Sequence, residues 1–208
     1  MEKQSKPPIE WQSDRLIVLD QTKLPHEEVY LELGDYRSIA SAICELKIRG
    51  APLIGIAGAY AVALGAMKIE STLKADFLAE LDEIIDAIGS TRPTAKNLFY
   101  ALDRMRQAAA SNNEIQQVKA ALVEEAIKIH NEEIEATHRI SELGAELIKD
   151  GSTILTHCNA GPLATGGYGT ALGVIRFAHE QGKSIKVFAD ETRPLLQGAR
   201  LTTWELKN

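Results

Sequence analysis

Thr153-Ile154-Leu155-Thr156-His157-Cys158-Asn159-Ala160-Gly161-Pro162, continuing through Gly166-Gly167-Tyr168-Gly169-Thr170 to Ile185-Lys186-Val187-Phe188-Ala189, decides the fold. Thr153 to His157 is a short β-forming run opened by Asp150-Gly151, and Ile185 to Ala189 is a second. Thr170 to Gln181 between them carries helical spacing, and another helix opens near Leu196. Strand, helix, strand, helix predicts an α/β chain in which residues 150–208 begin a parallel sheet with crossover helices. A doubly wound sheet has more strands than two, so this domain reads as incomplete at Asn208. The alternative is a small α+β protein with a two-stranded parallel annex.

Upstream the texture is helical. Leu16 to Leu19 and Val29 to Leu33 flank the polar stretch Gln21 to Glu28 and predict a short β-hairpin. Asp35 is placed to cap a helix over Tyr36 to Lys47, and Pro52 sits at the first turn of the next, which runs to about Lys68. A third helix is expected over Leu73 to Ile88. Beyond the Ser90-Thr91-Arg92-Pro93 break come a fourth, Thr94 to Ala110, and a fifth from about Asn113. In the fifth, Ile115, Val118, Leu122, Ala126 and Ile129 recur at three and four residues, which makes one apolar face. Residues 1–149 are therefore expected to form a mainly helical domain ahead of the sheet-based one.

Composition excludes several classes of function. A net charge of -6 argues against nucleic acid as the ligand, and acidic residues such as Glu124, Glu125, Glu132, Glu133 and Glu135 fall on helix faces. The longest apolar run, Ala51 to Met67, contains Pro52 and several glycines and is shorter than the ~20 residues that span a bilayer, so it reads as a buried helix with no membrane partner. Met1 to Pro8 is polar and has no signal-peptide core, which predicts a cytoplasmic protein. Cys44 and Cys158 lie in unrelated contexts that suggest neither a disulfide nor a zinc site, and Cys44 reads as core packing between Ile43 and Leu46.

The residues able to do chemistry cluster after the first parallel strand. Ligands of open α/β sheets gather at strand C-termini, where glycines turn backbone N–H groups toward an anion, so a phosphate is the expected guest of the glycine loop. Cys158 stands on that turn, either as a nucleophile or base near cationic groups or as a small buried hydrophobe. His157 beside it should point to the opposite face of the strand, so no Cys-His pair is expected. His130 and His138, eight apart on a polar helix with no third ligand, do not predict a metal site. Arg49-Gly50-Ala51-Pro52 puts a cation and a glycine just before a helix, and Arg49, Arg92 and Arg193 together outline an anion pocket. Gly167-x-Gly169-x-x-x-Gly173 with Asp190 mimics a dinucleotide fingerprint, but its glycines come about ten residues after the strand and the last is off by one.

Four motifs in order, Arg49-Gly50-Ala51-Pro52-Leu53-Ile54-Gly55, Arg92-Pro93-Thr94-Ala95-Lys96-Asn97-Leu98, His157-Cys158-Asn159-Ala160-Gly161 running into Thr165-Gly166-Gly167-Tyr168-Gly169-Thr170, and Asp190-Glu191-Thr192-Arg193-Pro194 with Gln197-Gly198-Ala199-Arg200, resemble the methylthioribose-1-phosphate isomerases. The wider superfamily includes ribose-1,5-bisphosphate isomerases and regulatory subunits of the translation-initiation factor two-B. The resemblance implies a helical domain followed by a Rossmann-like one, an active site between them, no cofactor, a homodimer and a place in methionine salvage. It implies that Arg49, Gly50 and Ala51 hold a phosphorylated sugar, that Arg92 and Gln197 contact it, and that Cys158 is the catalytic thiol. In the resembling enzymes a downstream aspartate acts as the acid, and no residue here takes that role. The chain therefore looks C-terminally truncated, with little turnover expected of it alone, and a non-catalytic regulatory protein is the rival reading.

Overall fold

The computed structural model describes residues 6–208. The polar start read above falls in part on residues 1–5, which lie outside the described residues. Strands β1 (Ile9–Trp11), β2 (Leu16–Leu19) and β3 (Tyr30–Leu33) form an antiparallel sheet in that order. The hairpin is thus three-stranded. At three residues and preceded by two prolines, β1 carries too little pattern to be read, yet Ile9 is fully buried against the core and pairs with Val18. Trp11 stacks on Tyr60 with ring centroids 4.9 Å apart.

Helix α1 covers Tyr36–Cys44, and Asp35 caps it by accepting from the backbone N–H groups of Arg37 at 2.9 Å and Ser38 at 3.0 Å. The helix stops short of Lys47 because Leu46 adopts the left-handed region at φ 60°. Ile39, Ala42 and Ile43 face the core; the next position turns ~100° around the axis, so Cys44 is exposed rather than packed inside. Its thiol lies 3.9 Å from the Thr91 carbonyl.

Helix α2 (Ala51–Lys68) is the hub: every residue from Leu53 to Ala66 is buried. A helix apolar all round must be surrounded, and α2 packs against α1, α3 (Lys74–Gly89), α4 (Lys96–Ala110) and α5 (Ile115–Glu146). Its alanines and glycines permit the close approach; a Cβ on Gly55 would stand 2.8 Å from the Asn97 carbonyl oxygen. By length and composition α2 could cross a membrane, but 78% of it is buried within the fold.

Helix α5 presents Val118, Leu122, Ala126 and Ile129 to the helical core, then changes to small and polar buried residues, Thr137, Ser141 and Ala145. There it receives α7 (Ala171–Glu180), whose Gly173 approaches Ser141. Strands β4 (Thr153–Thr156) and β5 (Lys186–Ala189) pair in parallel, Leu155 opposite Phe188, and both of those side chains are exposed. A four-residue helix, α6 (Pro162–Thr165), interrupts the glycine loop where the sequence predicted only loop. The helix expected to open near Leu196 begins instead as a π-helical turn, Gly198–Thr202, continuing into α8 (Thr203–Lys207). Leu196 itself is left-handed at φ 56° and cannot start a helix.

Candidate active site

A cleft of about 740 Å³ opens where the N-terminus of α2 meets the segment between β5 and the π-helical turn. Arg49, Gly50, Ala51, Arg92 and Gln197 all line it. Gly50 is required at the base: it holds φ 98°, and a Cβ there would lie 2.5 Å from the Cα of Ala164. With Gly50 as the N-cap and no side chain bonding to the first turn, α2 presents its free N–H groups and the positive end of its dipole at the cleft.

Arg49 reaches across to the end of β4, donating from Nη1 to Asn159 Oδ1 at 2.6 Å and from Nη2 to the Asn159 carbonyl at 3.4 Å. Burial lowers its pKa from the ordinary value, with the neighbouring Cys158 and Glu205 opposing that effect. The guanidinium stays charged. Among the described residues the only carboxylate lining the cleft, Glu45, is paired with Lys47 at 2.6 Å. Arg49, Arg92 and Arg200 form no ion pair among the described residues, so the cleft keeps positive charge for an anionic guest.

The expected trio of Arg49, Arg92 and Arg193 needs correcting. Arg193 is 80% exposed, pairs with Glu191 at 2.9 Å and lies outside the cleft, while Arg200 lines it. Arg200 is three residues after Gln197 in a helical turn, and that spacing, which puts both on one face, was the available signal. Arg200 also ties two loops together, donating to the carbonyls of Leu24 at 2.9 Å and Leu195 at 3.0 Å.

Cys158 does not line the cleft; it neighbours Arg49 and is half-buried, in the left-handed region at φ 60°. Its backbone N–H donates to Thr192 Oγ1 at 2.8 Å, and its carbonyl accepts from Thr202 Oγ1 at 2.6 Å. A non-glycine residue held in this conformation costs ~1–3 kcal/mol, which the two hydroxyl bonds offset. His157 turns outward to Asp190, Nδ1 to Oδ2 3.1 Å, across the C-terminal ends of β4 and β5.

The glycine loop is not a phosphate cradle. Gly166 packs on Ile56, Leu53 and Ile9, Gly167 meets Thr137, and Gly169 lies against Gly161, so these glycines serve close packing onto α2 and α5. Among the polar groups the sequence reading overlooked, Gln21 is 1% exposed and donates to the Leu163 carbonyl at 2.7 Å. His130, read only as one of two histidines on a polar helix, is half-buried between the Tyr60 hydroxyl at 3.1 Å and the Gly166 carbonyl at 3.1 Å.

An arginine-lined cleft at a helix N-terminus, in a chain that pairs a helical layer with parallel strands, is the arrangement in which α/β proteins receive anions. Residues 47–208 match the Initiation factor 2 subunit family, and the chain belongs to it. It is 62% identical over 199 residues to a methylthioribose-1-phosphate isomerase of Dehalococcoides mccartyi, covering 96% of this chain and 60% of that protein. A relative of the same name from Geobacter metallireducens is 57% identical over 95% of this chain and 58% of its own length. Among solved structures, 5-methylthioribose 1-phosphate isomerase from Pyrococcus horikoshii is 37% identical with a TM-score of 0.92, covering 98% of this chain and 58% of that one. The delta subunit of translation initiation factor eIF-2B from A. fulgidus is 45% identical with a TM-score of 0.88, over 98% of this chain and 59% of that one. The chain thus spans about 60% of the length of the curated relatives it matches.

Proposed function

We propose that the protein is an aldose-ketose isomerase that interconverts 5-methylthioribose 1-phosphate and 5-methylthioribulose 1-phosphate in methionine salvage. The observation that carries this reading is the cleft lined by Arg49, Gly50, Ala51, Arg92 and Gln197, with its arginines free of ion pairs among the described residues. In it the phosphate meets Arg49 and the α2 N-terminus, and Arg92 and Gln197 contact the sugar.

The phosphate on the anomeric oxygen blocks ordinary ring opening, so an acid must protonate the ring oxygen as its bond to C1 breaks. The hydrogen on C2 ends on C1, and the C2 hydroxyl loses its proton as the carbonyl forms, which leaves an isomer. Cys158, a neighbour of Arg49, is assigned the transfer between C1 and C2. The same reading takes residues 1–149 as a helical domain and 150–208 as the beginning of a Rossmann-like one, in a cytoplasmic homodimer that needs no cofactor.

Alkylation tests the assignment. 5-Methylthioribose 1-phosphate is expected to slow modification of Cys158 by iodoacetamide, and Arg49→Ala to abolish the protection. Equal rates with and without the sugar phosphate would contradict it. The 45% identity to an eIF-2B delta subunit supports a second reading, a regulatory protein that binds without turnover, for which Cys158→Ser changes nothing measurable.

A further inference from the structure

Asn159 is buried between a guanidinium that can only donate and a carboxylate that, when ionised, only accepts. Its Oδ1 accepts from Arg49 Nη1 at 2.6 Å; its Nδ2 donates to Glu205 and to Thr202 Oγ1, the latter at 3.2 Å. The Thr202 hydrogen is already committed to the Cys158 carbonyl at 2.6 Å, so its oxygen is free to accept. Every partner therefore demands the same amide orientation. Turning the amide over would set Oδ1 against the carboxylate and an N–H against the guanidinium.

Glu205 is held where it can enforce this. Its Oε1 accepts from the Leu163 N–H at 2.8 Å in the first turn of α6, and its carboxyl lies over Gly161, where a Cβ would stand 2.7 Å from the carboxyl carbon. Glu205 forms no ion pair with Arg49, because Asn159 stands between them. That leaves the guanidinium anchored by neutral acceptors, the side-chain and backbone oxygens of Asn159 and, at 3.5 Å, Gln21 Oε1, at a position that lines the cleft.

We infer that Glu205 is a positioning residue for the cleft: by fixing the Asn159 amide it keeps an acceptor against Arg49 and so aims the guanidinium at the bound anion. This rests on the reading that Arg49 holds the sugar phosphate, but the aiming of Arg49 can be measured without a ligand.

The variant E205Q keeps the shape but brings an amide N–H to face Asn159 or Leu163, both donors. The Asn159 amide is expected to turn over and push Arg49 away. Adding N159D gives an acceptor both to the new amide of E205Q and to Arg49 and should restore the guanidinium. Phenylglyoxal modification of Arg49, followed by peptide mass spectrometry, is expected to run about tenfold faster in E205Q than in the wild-type chain and to return to the wild-type rate in E205Q/N159D. The dissociation constant for 5-methylthioribose 1-phosphate should weaken about tenfold in E205Q. Wild-type Arg49 reactivity in E205Q, or no recovery in the double variant, overturns the inference. If the wild-type chain binds no sugar phosphate, the proposed function fails and the modification rates still decide the role of Glu205. Glu205→Met, which removes the acceptor without adding a donor, takes the place of E205Q if that variant does not fold.

Discussion

Arg49 Nη1 lies 2.6 Å from Asn159 Oδ1, a bond across 110 residues of sequence that joins the entrance of α2 to the end of β4. Neither residue alone makes a site. Arg49 supplies charge from the helical part of the chain to the cleft, and Asn159, beside Cys158, supplies the acceptor that holds it.

Gly50 is the position where that meeting is least tolerant. Gly50→Ala places a Cβ 2.5 Å from the Ala164 Cα at a φ of 98°, where backbone rather than a flexible side chain would have to move. The expected loss is ~2–4 kcal/mol of unfolding free energy, with the urea midpoint moving and the slope unchanged. Gly151 is also left-handed, at φ 75°, but has nothing within 4 Å of a built Cβ, so Gly151→Ala should cost only ~1 kcal/mol.

The His130 bridge predicts a pH dependence. Its Nε2 must carry the hydrogen donated to the Gly166 carbonyl, leaving Nδ1 to accept from Tyr60, whose hydroxyl pKa burial pushes up to about 12. Burial lowers the His130 pKa below 6.5. In the window between 6.5 and that lowered value the unfolded chain holds a proton that the folded chain excludes, so stability falls as pH falls through it. The slope from this group is at most ~1.4 kcal/mol per pH unit. His130→Gln, whose amide still reaches the Gly166 carbonyl, should lose less stability between pH 8 and pH 5.5 than the wild type in urea titrations. An identical pH dependence in both would remove the bridge from the account.

Glu205 gives the opposite sign. Burial raises its pKa, against the pull of the Leu163 N–H, Asn159, Arg49 and Arg176, so its ionised form opposes folding. Stability from this group is present at low pH and is lost as pH rises from 4.5 through the raised value. E205Q is expected to flatten that loss, measured by thermal melts from pH 4 to 7, even as it weakens sugar-phosphate binding.

The two cysteines should separate cleanly. Cys44 is exposed on α1 and does not itself line the cleft, and Cys44→Ser is expected to leave stability within ~0.5 kcal/mol of wild type. Cys158→Ser should remove turnover in any preparation that shows it, while retaining affinity for the sugar phosphate. Turnover undiminished by Cys158→Ser would return Cys158 to a packing role.

What sequence made legible followed periodicity and punctuation. The apolar face of α5, the Asp35 cap, Pro52 at the start of α2 and the β4-α7-β5 order are local signals, and each lies near its predicted place. The misses are interactions that local pattern does not encode. Strand β1 is stabilised by pairing with β2, not by its own three residues. Cys44 sits among apolar neighbours in sequence but a rotation off the buried face. Arg193 is adjacent to a motif yet turned to solvent, and Arg200 enters the cleft because the chain reverses at Leu196 and then winds into a π-helical turn. Asn159 and Glu205 are 46 residues apart, and only the fold reveals that one orients the other.

A crystal structure of the chain soaked with 5-methylthioribose 1-phosphate tests the central claim most directly. The account predicts the phosphate within hydrogen-bond distance of Arg49 and the first N–H groups of α2, with the sugar between Arg92 and Gln197. Density for the sugar phosphate elsewhere on the protein, with the arginines of this cleft unengaged, would contradict it.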